Sequence, residues 1–91
     1  MHTHIVKRRK GHREPYDNHK VYASCYAACL NAGLSKEDAE VLCKKVTEAL
    51  DAWMQNRDVV LSEDIFKEMI SVMKRHHKNA AFMYETHRDI S

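Results

Sequence analysis

Residues 3–17 read THIVKRRKGHREPYD, and this stretch decides the fold because it predicts strands ahead of an otherwise helical chain. Three of its first four residues are β-branched, which favours a strand. Gly11 can adopt the positive φ that a tight turn needs, and Pro15, which has no N–H, fits an edge strand. The sequence therefore predicts a β-hairpin over residues 3–16.

Four helices are predicted behind the hairpin from local start and stop signals. Asp17 or Asn18 is a suitable N-cap for the first helix, and Gly33 is suited to end it. Ser35 begins a capping-box pattern for the second helix, and Ser62 is predicted to cap the third. Apolar residues recur at helical spacing, most clearly in the second helix. The predicted helices span residues 18–32, 35–54, 62–76 and 78–90.

The apolar run at residues 59–61 is too short for a helix and contains two β-branched valines. It predicts a short strand over 58–61 that pairs with the hairpin and completes a three-stranded sheet. With 91 residues, 44% hydrophobic and 31% charged, the chain has the composition of one small globular domain over 1–91. The expected fold class is α+β, mostly α: a four-helix core covered by a small three-stranded sheet, hereafter the β cap.

Several classes of protein are excluded or disfavoured by composition. No apolar run approaches the ~20 residues that cross a bilayer, and the first four residues, MHTH, lack the apolar core of a signal peptide, so a cytoplasmic protein is expected. The two glycines, Gly11 and Gly33, lie far apart, which excludes a Walker A loop and a dinucleotide-binding fingerprint. If the chain binds phosphate, side-chain cations must do most of the binding.

Positive charge is concentrated at the start of the chain. Residues 1–20 contain six cations against two acids, a net of +4, while the remainder has a net of −2. A basic cluster of this size attracts a polyanion, whether a nucleoside triphosphate, nucleic acid or a membrane surface; the alternative is a merely solvated basic terminus. The six cations are Lys7, Arg8, Arg9, Lys10, Arg13 and Lys20.

The cysteines and histidines do not predict a metal site. Cys25 and Cys29 stand four residues apart, but Cys43 has no partner with which to complete the four ligands of a zinc site. We expect all three as small buried apolar side chains. None of the seven histidines forms a metal-binding pair on a predicted helix. Core or interface positions, rather than base-stacking surfaces, are expected for the large aromatic residues Tyr22, Tyr26 and Trp53.

Three parts of the chain resemble the ATP-cone domain, a regulatory nucleotide-binding domain of ribonucleotide reductases and of a repressor of reductase genes. The family pattern V-x-K-R-D-G, then E-x-[FY]-[DN], then Lys-[IV] is similar to VKRRKG, EPYD and HKV within residues 6–21. The segments VLSEDI at 60–65 and AAFMY with HRDI at 80–90 resemble later parts of the family. The resemblance covers essentially the whole chain and implies a free-standing ATP-cone.

The resemblance implies that ATP or dATP binds between the β cap and the helix ends, and it allows Mg²⁺ with the triphosphate. Arg8 and Arg9 would contact the phosphates, and Lys20 would reach them from the first helix. Val6 would line the base or sugar pocket, and Ser62 and Phe66 would lie near the nucleotide at the start of the third helix. The full set of implied nucleotide-binding residues is Val6, Lys7, Arg8, Arg9, Glu14, Asp17, Lys20, Val21, Ser62 and Phe66.

Two interpretations remain for the acidic members of that set. Glu14 and Asp17 would repel phosphate, so on the first interpretation they accept hydrogen bonds from a base amine or a ribose hydroxyl. On the second, they form a strand salt bridge and a helix cap. The chain also departs from the family pattern, with Arg8 in place of a lysine and Lys10 in place of an acid, so the ligand preference and the number of nucleotides stay open.

The resemblance implies an allosteric nucleotide sensor that acts through ligand-dependent oligomerisation or through a partner such as a ribonucleotide reductase. The alternative is a small nucleic-acid-binding transcriptional regulator that uses the basic hairpin. Against this alternative, the rest of the chain is net acidic and has no arginine-rich recognition helix. An enzyme is not expected, because no nucleophile–base pair, metal set or acid–base pair can be assembled from the spacing.

Overall fold

The computed structural model describes residues 4–8 and 11–86. Three short strands form one sheet: β1 (Ile5–Lys7), β2 (Arg13–Pro15) and β3 (Val59–Leu61). β1 lies in the middle, antiparallel to β2 and parallel to β3. Pro15 lies in an edge strand, where its missing N–H disturbs no central ladder. Thr3 and the predicted turn residues 9 and 10 lie outside the described residues.

The chain also forms four helices, with β3 between the second and the third: α1 (Asn18–Asn31), α2 (Lys36–Met54), α3 (Ser62–His76) and α4 (Lys78–Thr86). The fold class predicted from the sequence, α+β and mostly α with four helices and a three-stranded sheet, is confirmed. The end of the predicted fourth helix, residues 87–90, lies outside the described part of the chain. No helix in residues 4–8 and 11–86 is long and apolar enough to cross a membrane.

The ends of α1 and the start of α2 are set by local signals in the sequence. The Asp17 side chain accepts a hydrogen bond from the backbone N–H of His19, as an N-cap does. Gly33 adopts a φ of 89°, and its N–H and that of Leu34 bond to carbonyls of the last turn of α1 in a Schellman arrangement. Ser35 accepts from the backbone N–H of Asp38 at 3.2 Å and so caps α2.

The predicted cap of α3 is wrong. Leu61 occupies the N-cap position, and its side chain makes no capping hydrogen bond. The reason is that the chain enters α3 directly from β3, so the extended residue before the helix is the last residue of a strand. Ser62 is therefore the first helical residue, and the acidic residues Glu63 and Asp64 in the first turn complement the helix dipole.

The hydrophobic core lies between the four helices, and the sheet covers one side of it. Val6 and Val60, paired in neighbouring strands, are the buried members of the sheet. The predicted burial of the three cysteines is confirmed, and the three large aromatic residues pack against the core as expected. The largest side chains with less than 2% exposure are Leu50, Met54, Met69, Met73, Val46 and Val72.

Candidate functional site

A cavity of about 440 Å³ lies under the β cap, bounded by one face of α1 and by parts of α3 and α4. Val6 from β1 and Val21 from α1 are buried beside it. Small side chains on α1, including Ser24, Ala27 and Ala28, also line it. Because these side chains are short, α1 leaves room for a ligand beside its backbone.

The charged part of the cavity lining is a cluster of Arg8, Glu14 and Lys20, hereafter the charge cluster. The Arg8 guanidinium lies 2.7 Å from Glu14 Oε1, and Lys20 Nζ lies 3.4 Å from the same oxygen. The hydrogen bond from Arg8 lowers the pKa of Glu14, and the nearby Lys20 charge acts in the same direction. The side chains of Arg8 and Lys20 are 49% and 61% exposed, so both cations can be reached from solvent.

Asp17 also lines the cavity, next to the charge cluster. Its Oδ1 accepts from the backbone N–H of His19 at 3.0 Å and lies 3.1 Å from the His19 ring. These contacts, the backbone hydrogen bond first, lower the pKa of Asp17. The second interpretation of the acids, a strand ion pair for Glu14 and a helix cap for Asp17, therefore describes contacts that the structure contains.

The junction between β2 and α1 is held in place by Asp51 of α2. Tyr16 donates its hydroxyl to one carboxylate oxygen of Asp51 at 3.1 Å, and the Asn18 amide donates to the other at 3.1 Å. Burial, followed by the nearby Asp51 charge, raises the pKa of Tyr16, so the hydroxyl remains a donor. This anchor fixes the segment that carries Asp17 and leads to Lys20.

The larger apolar side chains of the cavity lining come from α3 and α4 and form its apolar wall. Phe66 and Tyr84 lie with ring centroids 5.2 Å apart and planes tilted by 32°. The Tyr84 hydroxyl donates to the sulfur of Met69 at 3.1 Å, and this hydrogen bond joins α4 to α3. Ile65 and Met83 complete this surface. The cavity lining thus combines cations with apolar and aromatic side chains.

A comparison with family models gives a match to the ATP cone domain over residues 4–89, nearly the whole chain. The chain belongs to the ATP-cone family. Such domains bind adenine nucleotides and are regulatory rather than catalytic, so family membership implies a nucleotide-binding regulatory role. No curated protein matches the chain.

Eight of the ten residues that the ATP-cone resemblance implied line this one cavity. Lys7 does not, because side chains alternate along a strand and Val6 takes the inward direction. Arg9 lies outside the described residues. The eight are Val6, Arg8, Glu14, Asp17, Lys20, Val21, Ser62 and Phe66.

The reasoning from sequence missed most of the apolar wall of the ATP-cone cavity. Met69, Met83 and Tyr84 were assigned only to helix faces, and nothing local indicates that two later helices meet the first strand. The spacing in α1 gave a weak indication of its cavity-lining face. Ser24 and Asn31 stand four and eleven residues after Lys20 and thus share one helical face with it.

Proposed function

We propose that this ATP-cone binds ATP or dATP in the cavity under the β cap and transmits its occupancy as an allosteric signal. One observation carries the proposal: Arg8 and Lys20, from separate elements, contact the same carboxylate oxygen and line a cavity that apolar and aromatic side chains also line. A volume of about 440 Å³ lies in the roughly 300–1,000 Å³ range of small-molecule sites.

The triphosphate would lie at the charge cluster. Arg8 offers a planar fork for two phosphate oxygens, and Lys20 supplies a point charge from the first turn of α1. Each charge-assisted contact contributes roughly 1.5–3 kcal/mol, so several are required for micromolar affinity, about −8 kcal/mol. Arg9, next to Arg8 in the sequence, is the further cation that we assign to the phosphates. Mg²⁺ would accompany the triphosphate.

The start of α3 would support the same end of the ligand. Ser62 is the first residue of this helix and lines the cavity, and the N-cap residue Leu61 before it makes no side-chain capping hydrogen bond. The N-terminus of a helix attracts anions through its N–H groups and its dipole. The acids Glu63 and Asp64 reduce that attraction, so we assign most of the phosphate affinity to the cations.

The base and sugar would contact the apolar part of the lining and the acids beside it. Phe66 and Val6 would contact the base or the ribose, and the ring of Phe66 is the stacking surface that we assign to the adenine. When phosphates displace Glu14 from Arg8 and Lys20, its carboxylate becomes available to accept from a base amine or a ribose hydroxyl. Asp17 has a second carboxylate oxygen for the same purpose.

Regulation would follow because the cavity is shared between the β cap and three helices. A ligand that contacts both parts favours the arrangement in which they are closed upon each other. We propose that the output is a change in self-association, or in binding to a ribonucleotide reductase-type partner.

Calorimetric titration of ATP, dATP and GTP into the purified chain tests the proposal. We expect micromolar binding of the adenine nucleotides and a loss of roughly 10- to 100-fold in Lys20→Ala and in Arg8→Ala. Lys44→Ala is the matched control, because Lys44 is an exposed lysine on α2 that does not line the cavity.

Three outcomes would contradict the proposal: no binding of ATP and dATP, binding that Lys44→Ala weakens as much as Lys20→Ala does, or salt-sensitive binding to DNA that nucleotides leave unchanged. The last would favour the nucleic-acid-binding alternative. Sedimentation of the same samples with and without ATP tests the self-association half of the proposal separately.

A further inference from the structure

The core contains a cluster of three thiols apart from the nucleotide cavity. The Sγ atoms of Cys25, Cys29 and Cys43 lie within 4.8 Å of one another, and all three residues are 0% exposed. Two come from successive turns of α1 and the third from the facing side of α2. Among the described residues, this is the one group of three or more His, Cys, Asp or Glu side chains that could hold an ion.

The spacing of the sulfur atoms suits a shared ion better than a disulfide. Three thiolates around one ion at ~2.3 Å stand about 3.8–4.0 Å apart, so sulfurs within 4.8 Å need only a small closure. A disulfide requires a sulfur–sulfur distance of about 2.05 Å, so two sulfurs would have to approach by more than a shared ion needs, and the third would be left out. The geometry therefore favours coordination.

The three thiols are joined by hydrogen bonds. Hydrogen bonds from Cys25 and Cys43 lower the pKa of Cys29, and the nearby His77 ring acts in the same direction. The same contact with Cys29, together with burial, raises the pKa of Cys25. These hydrogen bonds place the three sulfurs in direct contact with one another.

The donor set selects the kind of ion. Structural zinc sites are almost always four-coordinate, and this cluster offers three sulfurs. Thiolate sulfur is a soft ligand that prefers Cu⁺ among monovalent biological ions. Cysteine binds a metal ion as the thiolate, so each sulfur that joins the ion releases its proton. We propose that Cys25, Cys29 and Cys43 together bind one Cu⁺ ion.

Competition with a colorimetric Cu⁺ chelator, in the absence of oxygen, tests this site on the reduced, nucleotide-free chain. We expect one equivalent of Cu⁺ per chain in the wild type and an affinity lower by at least about tenfold in Cys25→Ser and in Cys43→Ser. Met73→Leu is the matched control, because it removes a buried sulfur outside the cluster and conserves volume.

The thermal midpoint of the wild-type chain provides a readout that needs no variant. An ion held by the folded cluster raises the midpoint, whereas an ion that prefers the exposed thiols of the unfolded chain lowers it. A midpoint that falls or stays constant with Cu⁺ would overturn the proposal, as would wild-type affinity in Cys43→Ser. Circular dichroism of each variant shows whether it has folded, and Cys43→Ala replaces any serine variant that has not.

Discussion

The Arg8 guanidinium and the Glu14 carboxylate lie 2.7 Å apart, between the end of β1 and the neighbouring strand β2. Lys20 reaches the same carboxylate oxygen from α1 at 3.4 Å. One acid therefore balances two cations that come from separate parts of the chain. An anionic ligand at this point must compete with Glu14 for the two cations. A change at Glu14 can therefore separate the contribution of the phosphates to the binding affinity from that of the nucleoside.

Replacement of Glu14 by glutamine should strengthen the binding of the phosphates and weaken the contribution of the base or ribose to binding. Glu14→Gln removes a negative charge beside Arg8 and Lys20, so we expect tripolyphosphate to bind more tightly than it does to the wild type. The advantage of ATP over tripolyphosphate should shrink, because the acceptor for the base or ribose is weakened. Calorimetry with both ligands measures the ratio. Glu48→Gln, an exposed acid on α2, is the control, and an unchanged ratio in Glu14→Gln would contradict the assignment.

The ion pairs of Glu14 with Arg8 and Lys20 should make the free energy of unfolding depend on pH in the acid range. The pKa of Glu14 is below its usual 4.5 in the folded chain, so its ionisation stabilises the fold above pH 4.5. That contribution is lost as the pH falls through the lowered value. For partly exposed pairs we expect at most about 1 kcal/mol. Thermal midpoints of the wild type and Glu14→Gln should differ at pH 6 to 7 and converge in acid; a constant difference would contradict this.

Two substitutions at Asp17 should separate its capping from its proposed ligand contact. Asp17→Asn keeps an oxygen that can accept from the His19 N–H, so we expect a thermal midpoint close to that of the wild type. Asp17→Ala should lower the midpoint by several degrees. We expect both variants to bind ATP more weakly, and calorimetry measures this. Wild-type affinity in Asp17→Asn would mean that Asp17 acts only as a cap.

The aromatic wall should discriminate between the nucleoside and bare phosphate. Phe66→Ala removes the proposed stacking surface, so we expect ATP to bind about 5- to 10-fold more weakly, in line with roughly 1 kcal/mol for an aromatic contact. Tripolyphosphate should bind as before, which calorimetry can verify. Phe82→Ala is a close control, because Phe82 lies on α4, is 57% exposed and does not line the cavity. Equal losses in both variants would argue against stacking.

The positive φ of Gly33 should make this position sensitive to any side chain. A Cβ there would meet nothing within 4 Å, so the cost of Gly33→Ala comes from backbone conformation alone. At a φ of 89° we expect a loss of about 1 kcal/mol in the free energy of unfolding. Gly33→Asn should lose less, because asparagine tolerates this region better. Urea unfolding compares them, and equal stability of Gly33→Ala and wild type would be unexpected.

The elements of the fold were predictable because their signals are local. The β-branched start, the helical spacing in α2 and Gly33 each act within a few residues. The third strand was also anticipated, since Val59 and Val60 resist a helix. The prediction that Ser62 caps α3 was wrong for a local reason too. β3 runs directly into α3, so the residue before the helix is the last residue of the strand.

The site was less predictable because it depends on distant segments. The polar residues of the cavity were named through the resemblance to a family, not through spacing. Tyr84 and Met83 lie in a helix with no outward sign of a ligand, and their contribution depends on how α4 packs across α1 and α3. The approach of Cys43 to Cys25 likewise depends on the packing of two helices, which neither sequence segment specifies alone.

Val6 and Tyr84 line one cavity, although they lie near opposite ends of the described chain. During synthesis β1 leaves the ribosome before α4 does, so the binding surface beside β1 stays incomplete until α4 has emerged. A nascent chain that stops before α4 therefore has no complete pocket, and a ligand can stabilise the chain only after α4 has been synthesised.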